Sequence, residues 1–195
     1  MTPTLDDLME RASRALAEMD YLTCETFCLG AMDKAQQAED WPGYARILLP
    51  LQEARRQRRM IACDAGVRIN TRHLDPGVVV LTDPITREQA SRFDQQARQA
   101  RCYLEVLWVM DQTPEQWVVA SHRGPHVQTQ VPAAASPSVA WYLAASEALG
   151  DKALEQVTAP QGSLQRLVAL QDMLEVVTDH EILHQQLGEA ARAMK

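Results

Sequence analysis

Aromatic residues make up only 5% of this 195-residue chain, and only two of them are Phe. Ala, Leu and Gln are abundant instead, a balance that favours helix over sheet. No run approaches the roughly 18 apolar residues needed to span a bilayer, so a membrane role is not expected. A Cys-x-x-Cys pair is missing from the four cysteines, Cys24, Cys28, Cys63 and Cys102, which removes the commonest thiolate metal and redox patterns. The opening residues MTPTLDDLMERASR contain acids and no apolar stretch. They read as something other than a secretory signal, so a cytoplasmic protein with reduced cysteines is expected. Excess positive charge is missing too: the formal net charge is -7, which disfavours nucleic acid as a partner. The one basic cluster, Arg55, Arg56, Arg58 and Arg59, reads as the solvated end of a helix. No Walker loop and no G-x-S-x-G elbow occurs.

What the chain does have is helical periodicity at both ends. Thr4 suits a helix N-cap, with Asp6 and Asp7 in the first turn. Leu5, Leu8, Met9, Ala12, Ala15 and Leu16 then form an apolar stripe that ends near Asp20. A second stripe, Cys24, Phe27, Cys28, Ala31, Ala35 and Ala38, predicts a helix over 22–38. A third follows Pro42, a residue suited to a first helical turn, and carries Tyr44, Ile47, Leu48, Leu51 and Ala54. At i and i+4 of a helix, Cys24 and Cys28 fit core positions.

The two joints between these helices, Met19-Asp20-Tyr21 and Asp40-Trp41, carry a resemblance. The run from Leu8 to Met32 resembles one tetratricopeptide repeat: Leu8 and Ala12 fall on the apolar and small positions of its first helix. Met19-Asp20-Tyr21 stands for the Gly-Asp-Tyr turn, Cys24 for a packed Ala, Cys28 for an aromatic, and Ala31-Met32 for the Ala-Leu pair. The turn Gly is replaced, and Gln36 takes the closing Pro position. One and a half repeats can be drawn, over about a quarter of the chain. The resemblance implies stacked helical hairpins that present a surface to another protein.

The middle of the chain reads differently. Val78-Val79-Val80-Leu81, after Pro76-Gly77, is a buried strand, and Asp83-Pro84 ends it. Thr86 caps a helix that reaches about Arg101, and Tyr103 to Met110 form a second strand. This βαβ order predicts parallel strands. The turn after the first strand, Thr82 to Thr86, lacks the glycines of a dinucleotide site. Gln116–Ser121 and His126–Val131 predict a hairpin around Gly124-Pro125. After a linker at 132–137, Ser136 and Pro137 open a helix that Gly150 should end, with a short helix after Asp151. Ser163 caps another helix through Val176, and a last one starts at Thr178 or Asp179. The expected fold class is α+β, with helical hairpins at both ends around a small central mixed sheet with one βαβ unit. The segments are 1–60, tetratricopeptide-like; 61–132, a small α/β part; and 133–195, C-terminal helices.

One constellation could carry chemistry. His180-Glu181-Ile182-Leu183-His184 has the zinc-peptidase form His-Glu-x-x-His, in which two His one helical turn apart bind Zn²⁺ and the Glu acts as base on a metal-bound water. Eleven residues follow His184 and none is His, so a third ligand would have to come from upstream, from His73, His122 or His126. Placed at the edge of the Leu183, Leu187, Ala191 and Met194 stripe, the pair reads first as packing residues, with ring nitrogens bonding to caps or backbone. Two functional readings follow. The first is a non-catalytic protein-protein interaction or scaffold protein without a cofactor. Its partner is an unidentified protein, contacted through Tyr44, Arg55 and Trp117, or a second copy in a homodimer. The alternative is a zinc-dependent hydrolase with Glu181 as catalytic residue and His180 and His184 as metal ligands.

Overall fold

The computed structural model describes residues 3–194, and among these it shows seven helices and five strands in a single sheet. Three helices open the chain: α1 (Leu5–Ala17), α2 (Tyr21–Gln37) and α3 (Trp41–Asp64). Thr4 caps α1 in a capping box with Asp7, as its sequence suggests. The two joints share one geometry. Met19 and Glu39 both take the left-handed conformation, with φ of 58° and 53°, which terminates the preceding helix. Asp20 and Asp40 then cap the next helix, accepting from the N–H groups of Thr23 at 3.2 Å and Gly43 at 2.9 Å. A Cβ on Gly43 would lie 2.1 Å from the Asp40 carboxylate, so this cap needs glycine there. Pro50 lies inside α3.

The sheet has the order β1-β2-β3-β4-β5, formed by β1 (Val67–Ile69), β2 (Gly77–Leu81), β3 (Leu104–Gln112), β4 (Gln116–Ala120) and β5 (Gln128–Pro132). β1, β2 and β3 run parallel, and β4 and β5 follow antiparallel. The predicted βαβ unit and hairpin are both present. Strand β1 is additional; three residues of mixed burial carry too little alternation to stand out in the sequence. Both faces of β2 are buried, which explains its unbroken Val run. Helix α4 (Arg87–Gln99) covers one face, where Val79, Leu81, Val106 and Trp108 meet Ala90 and Ala97. The other face, with Val78, Val80, Leu107 and Val109, joins a core that also includes side chains from all three N-terminal helices and the C-terminal helices.

The C-terminal part is α5 (Val139–Glu155), α6 (Leu164–Leu174) and α7 (Glu181–Ala193). Two expectations are corrected here. Helix α5 does not end at Gly150 but continues through it to Glu155, with Ser138 as its N-cap. The last helix begins at Glu181, with His180 as its N-cap. Helix α7 packs on α3, so the two helical ends form one body of packing rather than flanking the sheet separately, and α3 runs past the expected segment boundary at residue 60. None of the described helices is long and apolar enough to cross a membrane.

Candidate functional site

Of the basic cluster of α3, Arg56 is exposed as a solvated helix end would have it, but Arg55 and Arg58 are not. Arg55 and Arg58 are 2% and 3% exposed, because they continue the stripe that runs from Tyr44 through Leu51 and Ala54 into the core. Glu25 of α2 lies between them. Arg55 Nε donates to Glu25 Oε1 at 2.8 Å, and Arg58 Nη1 donates to Glu25 Oε2. Arg58 also donates to Glu105 of β3 at 3.0 Å. Burial works to raise the Glu25 pKa, but Arg58, Arg55 and Arg98 outweigh it and hold the carboxyl down at about 2. This chain of buried charges joins the helical hairpin to the sheet. It extends across β3 to Asp94 of α4, whose carboxylate faces Arg98 at 3.2 Å and Arg123 at 3.5 Å. Burial again pushes Asp94 up, and Arg123 and His122 overcome it to leave the pKa lowered. Buried groups paired this way cost desolvation, and losing one partner costs more.

The zinc-peptidase match takes a different form from the one its spacing suggests. His180 stands outside the helix and its Nδ1 accepts from the Leu183 N–H at 3.3 Å. His184 lies inside α7, and its Nε2 donates to the Thr178 carbonyl at 3.0 Å. Burial, helped by Arg55, lowers the His184 pKa to about 4, so the ring is neutral at pH 7. Glu181 is exposed and accepts from Gln185. The two rings therefore serve as a cap and a backbone tie, and Glu181 lies at the surface beside Gln185. Among the described residues, the one cluster of three or more metal-ligating side chains is Glu147, Asp151 and His180. His73, His122, His126, His184, Glu181 and the four cysteines do not belong to it. His122 is buried with its Nε2 3.9 Å from Asp94, while His126 is exposed and contacts Gln128.

Tyr44, Arg55 and Trp117, the residues expected to meet a partner, are all interior, and that expectation is corrected. Tyr44 is fully buried and donates its hydroxyl to Gln171 at 3.1 Å. Besides Glu25, Arg55 donates to the Thr178 carbonyl at 3.0 Å. Trp117 stacks edge-on against Trp141 with centroids 5.3 Å apart, which fixes α5 to the edge of the sheet.

Besides an opening of about 350 Å³ beside Asn70, Arg72, Ile85 and Phe93, the surface has two openings of contrasting charge. One is a cleft of about 480 Å³ between α4 and the β4–β5 loop, lined by Arg87, Arg92, Arg123 and His122, with Glu88 opposite. Arg87 is already committed to the Gly124 carbonyl at 2.6 Å. Behind this cleft, Arg123 and His122 also wall a small internal cavity of about 20 Å³ with Arg59, Glu105 and Tyr142, room for a single water. The other opening is a groove of about 370 Å³ where α3, α5 and the start of α7 meet. It is lined by Leu49, Gln52, Glu53, Arg56, Glu147, Asp179 and Glu181. Leu49 is 74% exposed, the most exposed large apolar side chain among the described residues. Asp179 pairs with Arg59 at 2.7 Å, yet burial raises its pKa to about 6.

Sequence reasoning did not find Glu25, Asp94, Glu105 or the α3–α5 groove. A signal existed for the first: Glu25 sits beside Cys24 on the packed face of α2, and Arg55 and Arg58 lie in register with an apolar stripe. No protein-family model matches the chain, and comparison with curated proteins and with solved structures returns no match.

Proposed function

We propose that this is a non-catalytic interaction or scaffold protein, and that its partner is a protein segment bound in the groove between α3 and α5. The observation that carries this reading is Leu49. A leucine 74% exposed at the rim of a groove is a side chain whose burial on binding contributes about 1.5–3 kcal/mol. Glu53, Glu147 and Glu181 around it outnumber Arg56, so the complementary segment carries basic residues beside an apolar anchor. The paired helix joints support the same reading, since tetratricopeptide-like packing gives a rigid platform for a partner. A cytoplasmic setting belongs to this proposal.

The hydrolase alternative is set aside because His180 stands outside α7 as its N-cap while His184 Nε2 is bonded to the Thr178 carbonyl, so the two rings do not share one helix face as metal ligands. The test is affinity capture with the full chain and with Leu49→Asp and Glu53→Lys variants. A partner retained by the wild type and by Arg92→Ala, but lost by both groove variants, is the expected result. Equal capture by all four proteins overturns the reading. If the captured partner is the chain itself, sedimentation will show a dimer that Leu49→Asp dissociates.

A further inference from the structure

The carboxylates of Glu147 and Asp151 lie one turn apart on α5, and both point at the same atom of the next layer, Nε2 of His180. The separations are 3.5 Å to Glu147 Oε1 and 3.4 Å to Asp151 Oδ1, and all three ligand atoms lie within 4.8 Å of one another. The His180 side chain is fully buried and its Nε2 makes no hydrogen bond. Both carboxylates are more than half exposed, at 57% and 60%, so the site opens to solvent on one side. We propose that Glu147, Asp151 and His180 form a zinc site that joins α5 to the N-terminus of α7.

Three observations converge on it, two of them independent of the acidic pair. Ligand atoms bound at about 2.0–2.1 Å to a tetrahedral ion stand roughly 3.3–3.4 Å apart, close to both measured separations. The buried, unpartnered Nε2 faces the two oxygens. Finally, Gly150 lies between the two acids, and a Cβ there would meet His180 Cδ2 at 2.1 Å. Only glycine lets the imidazole reach the helix between its ligand partners. The imidazole nitrogen selects against calcium and magnesium, which take oxygen ligands, and suits zinc. Asp179 and Glu181 stay outside the set, because one pairs with Arg59 and the other accepts from Gln185.

Zinc takes the Nε2 lone pair, so the ring proton moves from Nε2 to Nδ1 and the imidazole stays neutral. Nδ1–H then faces the Leu183 N–H donor to donor, so the 3.3 Å capping bond breaks and the first turn of α7 must shift as the three metal bonds form. That exchange gives the site its own signature at the Leu183 amide. The site shares Glu147 with the groove, but zinc uptake is read without a partner, so either reading can fail alone.

The experiment is titration of the full chain with zinc chloride alone, by calorimetry and by amide NMR. It uses the wild type, a Glu147→Gln/Asp151→Asn double variant and a Glu181→Gln variant. The variants change exposed side chains, and matching thermal melts without metal will show that they fold. The expected result is one zinc per wild-type and Glu181→Gln chain, with a shifted Leu183 amide. The double variant should bind more weakly by more than the roughly 10–100-fold caused by losing an outer partner. No zinc uptake by the wild type overturns the proposal. So does equal uptake by the double variant, loss of zinc in Glu181→Gln, or an unmoved Leu183 amide.

Discussion

A methyl group added to Gly150 would lie 2.1 Å from Cδ2 of His180. The two residues are thirty positions apart, and their contact sets how closely α7 starts against α5. It also turns a helix-breaking residue into a packing requirement.

Gly150→Ala is therefore expected to destabilise the protein. On helix propensity alone, alanine in mid-helix gains about 1 kcal/mol. Forcing the buried ring of His180 away costs about 1–3 kcal/mol of overpacking and disturbs the cap of α7. A lowered urea midpoint with an unchanged slope is the expected outcome. A stabilised variant would mean that the ring relocates freely.

Glu25 holds the hairpin of α2 and α3 to the sheet through Arg55 and Arg58. Glu25→Leu leaves two buried guanidinium groups short of charge. Removing one partner of such a set costs about 3–5 kcal/mol. Urea unfolding of the variant should lose that much, whereas Glu10→Leu, in an exposed pair with Arg14, should change stability by less than about 1 kcal/mol.

Acid should reveal His184. Its pKa is lowered from 6.5 to about 4 in the folded protein, so the stability it contributes is fully present above pH 6.5 and is lost as pH falls towards 4. The loss amounts to about 3 kcal/mol by linkage. Asp179 acts with the opposite sign: its pKa rises from 3.8 to about 6, so protonating it between pH 6 and 4 relieves a strain of similar size. The two offset each other in the wild type. In His184→Gln, which keeps a donor for the Thr178 carbonyl, only the Asp179 effect remains. The stability of this variant relative to wild type should then rise by about 3 kcal/mol between pH 6.5 and 4, read from urea melts across that range. A constant difference would show that His184 does not titrate as its burial demands.

The elements were legible because each is written in a local signal. The three N-terminal stripes, the caps Thr4, Thr86 and Ser163, the joints at Asp20 and Asp40, and the Val78–Leu81 run all act within a few residues, and α1 to α4 and β2 to β5 follow them closely. Gly150 misled because its neighbour, His180, is far away in sequence; the same holds for β1, whose three residues gain meaning only by pairing with β2.

The sequence by itself determined the α+β class, the βαβ unit and the helix joints, since periodicity and capping chemistry are local properties of the chain. Tertiary structure alone decided which polar groups became interior. Arg55 and Arg58 look like a solvated cluster until Glu25 and Glu105 arrive from two other elements to balance their charge. His180 and His184 look like a metal pair until the backbone of α7 and Thr178 claims one nitrogen from each ring, and until α5 brings Glu147 and Asp151 to the nitrogen of His180 that is left. Charge pairing and ligand geometry depend on distances across the fold, and helical spacing fixes only those within one helix.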